Sequence, residues 1–334
     1  MPPPWPTVEP SSSAMRPLLH HPASCRDPMR GHLFGQSLLP RRVRPRFPSR
    51  CDLLHLRPAQ PPGPCARPRH PGPRPEGRPM SDRFLLTLAQ LNPTVGDIAG
   101  NAALARSAWQ AGRDAGADMV ALPEMFITGY NTQDLVLKPA FQDAAMQAVR
   151  ALAADCADGP ALAIGTPWRA EDGRLFNAYV ICKGGQIHAR ADKHHLPNEA
   201  VFDEHRLFDQ GSISGPYAIG PLRIGSPVCE DAWHPDVAET LEETGAQLLL
   251  VPNGSPYFRG RFDHRLAHMV ARSVETGLPL VYLNLVGGQD DQVFDGGSFV
   301  LNPGGALALQ MPVFAEQIAH VTFTQTPEGW RALP

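Results

Sequence analysis

The sequence predicts an α/β protein in which two packed sheets carry helices on their outer faces. From residue 84 onward, short apolar runs alternate with segments of helical periodicity. The runs also outnumber the helices, which is the pattern of two stacked sheets rather than one. In addition, three strings of the kind that closes a β-strand end in a residue able to do chemistry: Glu124, Lys193 and Cys229.

FLLTLAQLNP (84–93) reads as the first strand, and 98–115 as an Ala-rich helix with Leu104, Ala108 and Ala111 on one face. MVALPE (119–124) is a short apolar strand, 141–155 a helix, and ALAIGTPW (161–168) a strand again. FNAYVICKGG and QIHARADKHH form a hairpin across Gly184 and Gly185. YAIGPLRIGSPVC (217–229) gives two strands hinged at Gly220 and Pro221. Pro235 opens a helix on which Val237, Leu241 and Thr244 keep helical spacing. AQLLLVPNGS is a buried strand, and 260–276 a helix with Phe262, Leu266, Met269, Val270 and Val274 on one stripe. PLVYLNLVGG, GGSFVLNP and QIAHVTF complete the strands, after which 326–334 reads as the start of a linker.

Composition divides the chain near residue 80. Residues 1–80 hold 20 of the 37 prolines and 13 arginines against four acids, a balance of +9; the remainder carries 17 basic and 29 acidic residues, a balance of −12. So Pro-rich a segment buries too little apolar surface to offset its ordering entropy, and 1–80 reads as a disordered extension. Its prolines oppose the amphipathic helix of a transit peptide, and it lacks the long apolar run of a secretory signal. Sparse aromatic interleaving argues against a nucleic-acid-binding arm. Met80 and Ser81 stand directly before the first strand, so 1–79 reads as an over-extended start and 81–325 as the folded domain. Cys156, Cys182 and Cys229 in that domain are odd in number and lack CxxC spacing. This argues against disulfides or a zinc site and fits a reducing cytoplasm. No run approaches the ~18 apolar residues needed to cross a membrane.

Cys229 falls where strand 222–228 must turn toward the helix at Pro235. At that turn its sulfur stands above the sheet, and the Glu230 backbone N–H faces a substrate oxygen. The alternative is a buried, inert cysteine. Glu124 emerges at the end of its strand as a base, or else as a loop acid at a helix N-terminus. Lys193 is a surface charge unless it lies near Cys229, where its ammonium would favour thiolate and hold an oxyanion. His264 and His268 are spaced i, i+4 on a helix but lack a third ligand, which favours a packed or solvated face over a metal. Together the carboxylate, ammonium and thiol are the parts for splitting an amide through a thioester.

LPEMFITGY, KHHLPNEAVFDEHRLF and VCEDAW resemble the Glu, Lys and Cys motifs of the nitrilase (carbon–nitrogen hydrolase) superfamily. CEDAW, the LPNxxVFDExR string and NGSPY (253–257) are most similar to the glutaminase domain of glutamine-dependent NAD synthetases. The resemblance spans about 84–325 and implies a nitrilase-type four-layer α-β-β-α sandwich that pairs with a second subunit as a homo-oligomer. It implies Glu124 as general base, Lys193 as oxyanion and orienting group, Cys229 as nucleophile and Glu204 as a supporting carboxylate. Ser255 and Arg261 match positions that hold the glutamine α-amino and α-carboxylate groups. A bidentate cation such as Arg261 at a helix N-terminus suits a carboxylate.

The sequence departs from that pattern at Glu199, where the family carries an aromatic, and at Leu207; Glu199 would set a further carboxylate near bound glutamine. It contains no SGGxDS loop and no GxxxxGK[ST] string. The expected function is therefore glutamine hydrolysis to glutamate and ammonia without a cofactor. ATP and Mg would be needed only in a separate synthetase domain that the sequence lacks. The alternatives are a stand-alone aliphatic amidase or nitrilase-type hydrolase, and an inactive fragment acting through its basic arm.

Overall fold

The computed structural model describes residues 82–199 and 201–333; the Pro/Arg-rich extension expected over 1–80 lies outside them. The first sheet contains β1 (Arg83–Gln90), β2 (Met119–Ala121), β3 (Ala161–Arg169), β4 (Leu175–Lys183) and β5 (Gln186–Asp192), in that spatial order. The second contains β6 (Tyr217–Ile219), β7 (Leu222–Gly225), β8 (Leu248–Asn253) and β9 (Leu280–Asn284). A separate hairpin, β10 (Val286–Gln289) with β11 (Gln292–Asp295), leaves it, and β12 (Phe299–Asn302) and β13 (Ala306–Gln310) extend it beyond β9. Finally, β14 (Gln317–Thr326) returns beside β1, and β15 (Gly329–Ala332) forms the outer edge.

The centre of each sheet is parallel, β1-β2-β3 in one and β7-β8-β9 in the other. These strands are buried on both faces, so they read as continuous apolar runs. The period of two sorts each run between layers. Leu248 and Leu250 of β8, with Val281 and Leu283 of β9, meet Leu86, Leu88 and Met119 between the sheets. Leu249, Val251, Leu280 and Tyr282 face the other way onto helices. Burying each such leucine contributes roughly 1.5–3 kcal/mol.

Helices α1 (Ile98–Asp114) and α2 (Pro139–Asp155) cover the first sheet; α4 (Pro235–Glu243) and α5 (Arg261–Thr276) cover the second, and α3 (Glu204–Leu207) is a single turn. The result is the expected α-β-β-α order. Asp97 caps α1 by accepting from the Gly100 N–H at 2.8 Å, and Pro139 and Pro235 open α2 and α4. Among the described residues, no helix is long and apolar enough to cross a membrane.

Three expectations are corrected. Residues 326–334 do not begin as a linker, because β15 pairs with β14 and buries Trp330 and Ala332 in the inter-sheet core. The buried face of α1 runs through Asn101, Ala105, Ala108 and Gly112 rather than through Leu104 and Ala111. On α5, Val274 is 57% exposed, and Arg265, Met269, Arg272 and Ser273 face inward. Phe262, Leu266, Met269 and Val270 do pack on the helix-side core, so the expected stripe fails only at Val274, and the two arginines widen the inward face.

Candidate active site

Glu124, Lys193 and Cys229 come from three different strand ends and converge. Glu124 follows β2, Lys193 follows β5, and Cys229 begins a 3₁₀ turn over Cys229–Trp233 after β7. Close backbone approach makes the first placement: a Cβ on Gly165 of β3 would sit 2.6 Å from the Glu124 Cα. The Lys193 N–H donates to the Asn177 carbonyl at 2.8 Å, holding the lysine beside β4. Cys229 itself has φ +48°, a left-handed conformation that raises the side chain at a sharp strand-to-turn elbow.

The polar floor is buried. Lys193 Nζ lies 2.8 Å from Glu124 Oε1 and 2.8 Å from Glu204 Oε2, with all three side chains buried. Asn177 Nδ2 donates to Glu124 Oε1 at 2.7 Å and to Glu204 Oε1 at 3.0 Å. The Tyr130 hydroxyl donates to Glu204 Oε1 at 2.8 Å, and the Gly254 N–H to Glu124 Oε2 at 2.7 Å. The Glu124 oxygens thus face three donors, which fixes the carboxylate in one orientation.

Electrostatics follow from that packing. Burial opposes the Lys193 charge, yet the Glu124 and Glu204 carboxylates more than offset it and hold its pKa well above the ordinary lysine value. Burial raises Glu204, with Lys193 pulling it down and Glu124 pushing it up. Burial and then the Glu124 charge push the Cys229 thiol well above its usual range, while Lys193 acts the other way. The packing therefore favours the neutral thiol form of Cys229. The Glu230 N–H lies in the first turn of the 3₁₀ segment, where backbone donors lack an intrahelical acceptor.

Beside this floor opens a cavity of about 750 Å³, lined by Leu196, Glu199, Glu230, Trp233, Phe258 and Arg261 among others. Glu124, Lys193 and Cys229 do not line it; Glu230, next to Cys229, does. Arg261 opens α5 with its guanidinium stacked 4.2 Å from the Trp233 ring centre and 4.8 Å from that of Phe258. Ser255 departs from its expected place. It is buried behind Pro256, and its hydroxyl accepts from Arg265 Nε at 3.2 Å and Arg261 Nε at 3.4 Å. Its side chain anchors the arginines instead of facing the cavity. His268 of the weighed i, i+4 pair packs on Trp233, ring centres 4.2 Å apart.

Sequence reasoning missed Asn177, Tyr130, Gly254, Asp231 and Arg265. Arg265 is wholly buried; it pairs with Asp295 at 2.7 Å and donates to the Ser255 and Pro256 carbonyls at 2.7 and 2.9 Å, fixing the loop that carries Gly254. Asn177 left a signal, since one amide inside the apolar run LFNAYVIC must find buried partners.

The carbon-nitrogen hydrolase family profile matches residues 85–332. The chain is 62% identical over 255 residues to a glutamine-dependent NAD(+) synthetase of Rhodobacter capsulatus, covering 76% of this chain and 46% of that protein. It therefore spans about half the length of that relative. The solved glutamine-dependent NAD+ synthetase of Acinetobacter baumannii is 32% identical with a TM-score of 0.72, over 75% of this chain and 48% of the other. An amidase from Nesterenkonia sp. AN1, carrying a covalent acetamide adduct on its active-site cysteine, is 25% identical with a TM-score of 0.65, over 74% of this chain and 92% of the other. Four sandwiched layers, a cysteine elbow above a buried Glu-Lys pair and a match over nearly every described residue have one common explanation: the chain belongs to the carbon-nitrogen hydrolase family.

Proposed function

We propose that the chain hydrolyses the side-chain amide of glutamine, supplying ammonia for an amidation step like that of the NAD synthetases it resembles. The observation that carries this is Arg261, a fork stacked between two rings over a cavity that adjoins the Cys229 turn. A planar cation held there suits an amino-acid α-carboxylate, leaving the side-chain amide to reach toward the sulfur. The 62% identity to a glutamine-dependent synthetase supports the same substrate.

Glu124 would take the Cys229 proton as Sγ attacks the amide carbon. The resulting oxyanion would be held by Lys193 and the Glu230 N–H. The C–N bond then breaks, the Glu124 proton passes to the leaving nitrogen, and ammonia departs from a γ-glutamyl thioester. Glu124 next deprotonates a water that attacks the thioester, and the thiol is restored as glutamate leaves. Glu204 and Asn177 hold Lys193 and Glu124 in place throughout. These steps use the chain's own side chains and backbone; ATP and Mg²⁺ would serve only a synthetase step. The three cysteines among the described residues are free and support a reducing, cytoplasmic setting, and a homo-oligomer is expected on sedimentation.

Incubation with amide-labelled glutamine should release labelled ammonia and glutamate from the wild type and not from Cys229→Ala. Equal rates would sink the mechanism. Coverage of 92% of the Nesterenkonia amidase favours a second reading, a free-standing aliphatic amidase. A panel comparing glutamine with propionamide separates the two, because only the first carries the group that Arg261 would hold.

A further inference from the structure

Directly after Lys193 come two histidines that the hydrolytic steps leave unused. Their backbone is fixed by one buried carboxylate: Asp231 Oδ1 accepts from the His194 N–H at 3.0 Å and the His195 N–H at 2.7 Å. Its Oδ2 accepts from the Val228 N–H at 2.9 Å, so Asp231 ties the lysine loop to the Cys229 turn. The imidazoles meet a second cavity of about 400 Å³, whose lining includes His194, His195, His205, Gln210, Glu230 and His234.

His194 Nδ1 lies 2.7 Å from the Gly211 carbonyl oxygen. A carbonyl only accepts, so Nδ1 is the donor there, and Nε2, which faces the Gln210 amide nitrogen at 3.2 Å, is the acceptor of that N–H. His195 Nε2 lies 2.9 Å from each oxygen of Asp236, which sits in the first turn of α4. One ligand atom each from His194, His195 and Asp236 falls within 4.8 Å of the others. An imidazole whose far N–H is held by a carbonyl is the form in which proteins present histidine to metals. Two imidazoles and one carboxylate suit Zn²⁺ and its neighbours rather than Ca²⁺ or Mg²⁺, which take oxygen ligands.

We propose that His194, His195 and Asp236 form a binding site for one divalent transition-metal ion of the Zn²⁺ class, behind the catalytic turn. An ion drawing these ligands together would act through Asp231 on the segment that carries Cys229. Without an ion, His195 Nε2 bonds to Asp236 and His194 Nε2 lies 3.2 Å from the Gln210 side-chain amide, which an ion at Nε2 would displace.

The test is Zn²⁺ titration calorimetry on the metal-stripped full chain in a Cys229→Ala background, which removes the nearby thiol from competition. Cysteines and histidines within 1–80 are common to every variant and cancel in the comparison. The parent should bind one equivalent more than chains that add His195→Gln or Asp236→Asn, whereas His264→Gln should keep that equivalent. Co²⁺ in the same site should give visible ligand-field bands that both substitutions abolish. Equal stoichiometry and equal Co²⁺ spectra in all four chains would overturn the site. Thermal unfolding without metal checks each variant's fold. Asp236→Asn, at a side chain 49% exposed, keeps the comparison usable should His195→Gln not fold.

Discussion

The floor of the site and its mouth are built on different terms. Glu124, Lys193, Glu204 and Asn177 are buried and joined by contacts of 2.7–3.0 Å. At the mouth Tyr257 and Phe258 are 47% and 48% exposed, Glu199 stands in solvent, and Arg261 is held by ring stacking and a 3.4 Å bond. In the floor, low dielectric strengthens every charge contact and makes any unpaired group costly. At the mouth, water screens the charges and side chains can adjust. On the proposed function the floor would supply chemistry common to many amides and the mouth would select among them, so changes in the two regions should fail in different ways.

The largest effect is expected at the sulfur. Cys229→Ala should lower glutamine turnover by about 10⁴-fold or more, since no other group can form the thioester. Lys193→Met should follow, at about 10³-fold in kcat. It also leaves two carboxylates facing each other without their cation, a loss of about 3–5 kcal/mol that chemical denaturation would read. A Lys193→Met chain as stable as wild type would break the claim that the floor depends on mutual pairing. Glu124→Gln separates base from scaffold. Turnover should fall by about 10²–10⁴-fold. Yet removing a negative neighbour lowers the Cys229 pKa, so alkylation by iodoacetamide at pH 8 should be faster than in wild type. At the mouth, Arg261→Ala should raise KM for glutamine about 10–100-fold, the worth of a charged hydrogen bond, with a smaller change in kcat.

The same division explains what could be read from the sequence. Glu124, Lys193 and Cys229 could be singled out because each follows a strand-like segment, apolar before Glu124 and Cys229 and alternating before Lys193. The strand periodicity also gave the two sheets, since Leu248 to Val251 and Leu280 to Leu283 must face apolar neighbours on both sides. Bonds between distant segments were not legible. Gly254 meets Glu124 across 130 positions, and no local pattern encodes that contact. The buried arginine of α5 was missed because Arg265 finds its partner far away in sequence, at Asp295. Strands β13 and β15 are part-exposed edges of five and four residues, too short to stand out from the turns beside them.

Glu199 gives the smallest and most discriminating effect. It lines the same cavity as Arg261 and is exposed, so its charge is screened and its influence should stay within about 1 kcal/mol. The sign depends on what Arg261 holds. If Arg261 binds the glutamine α-carboxylate, a nearby Glu199 opposes that end of the ligand, and Glu199→Gln should lower KM for glutamine up to about fivefold, less so at high salt. If Glu199 instead faces the α-ammonium, the same change should raise KM by a similar factor. For propionamide, which carries neither group, KM should not move in either case. A change in propionamide KM equal to that for glutamine would mean that Glu199 shapes the cavity rather than reads charge, and the mouth would lose its role in selecting the amino-acid head.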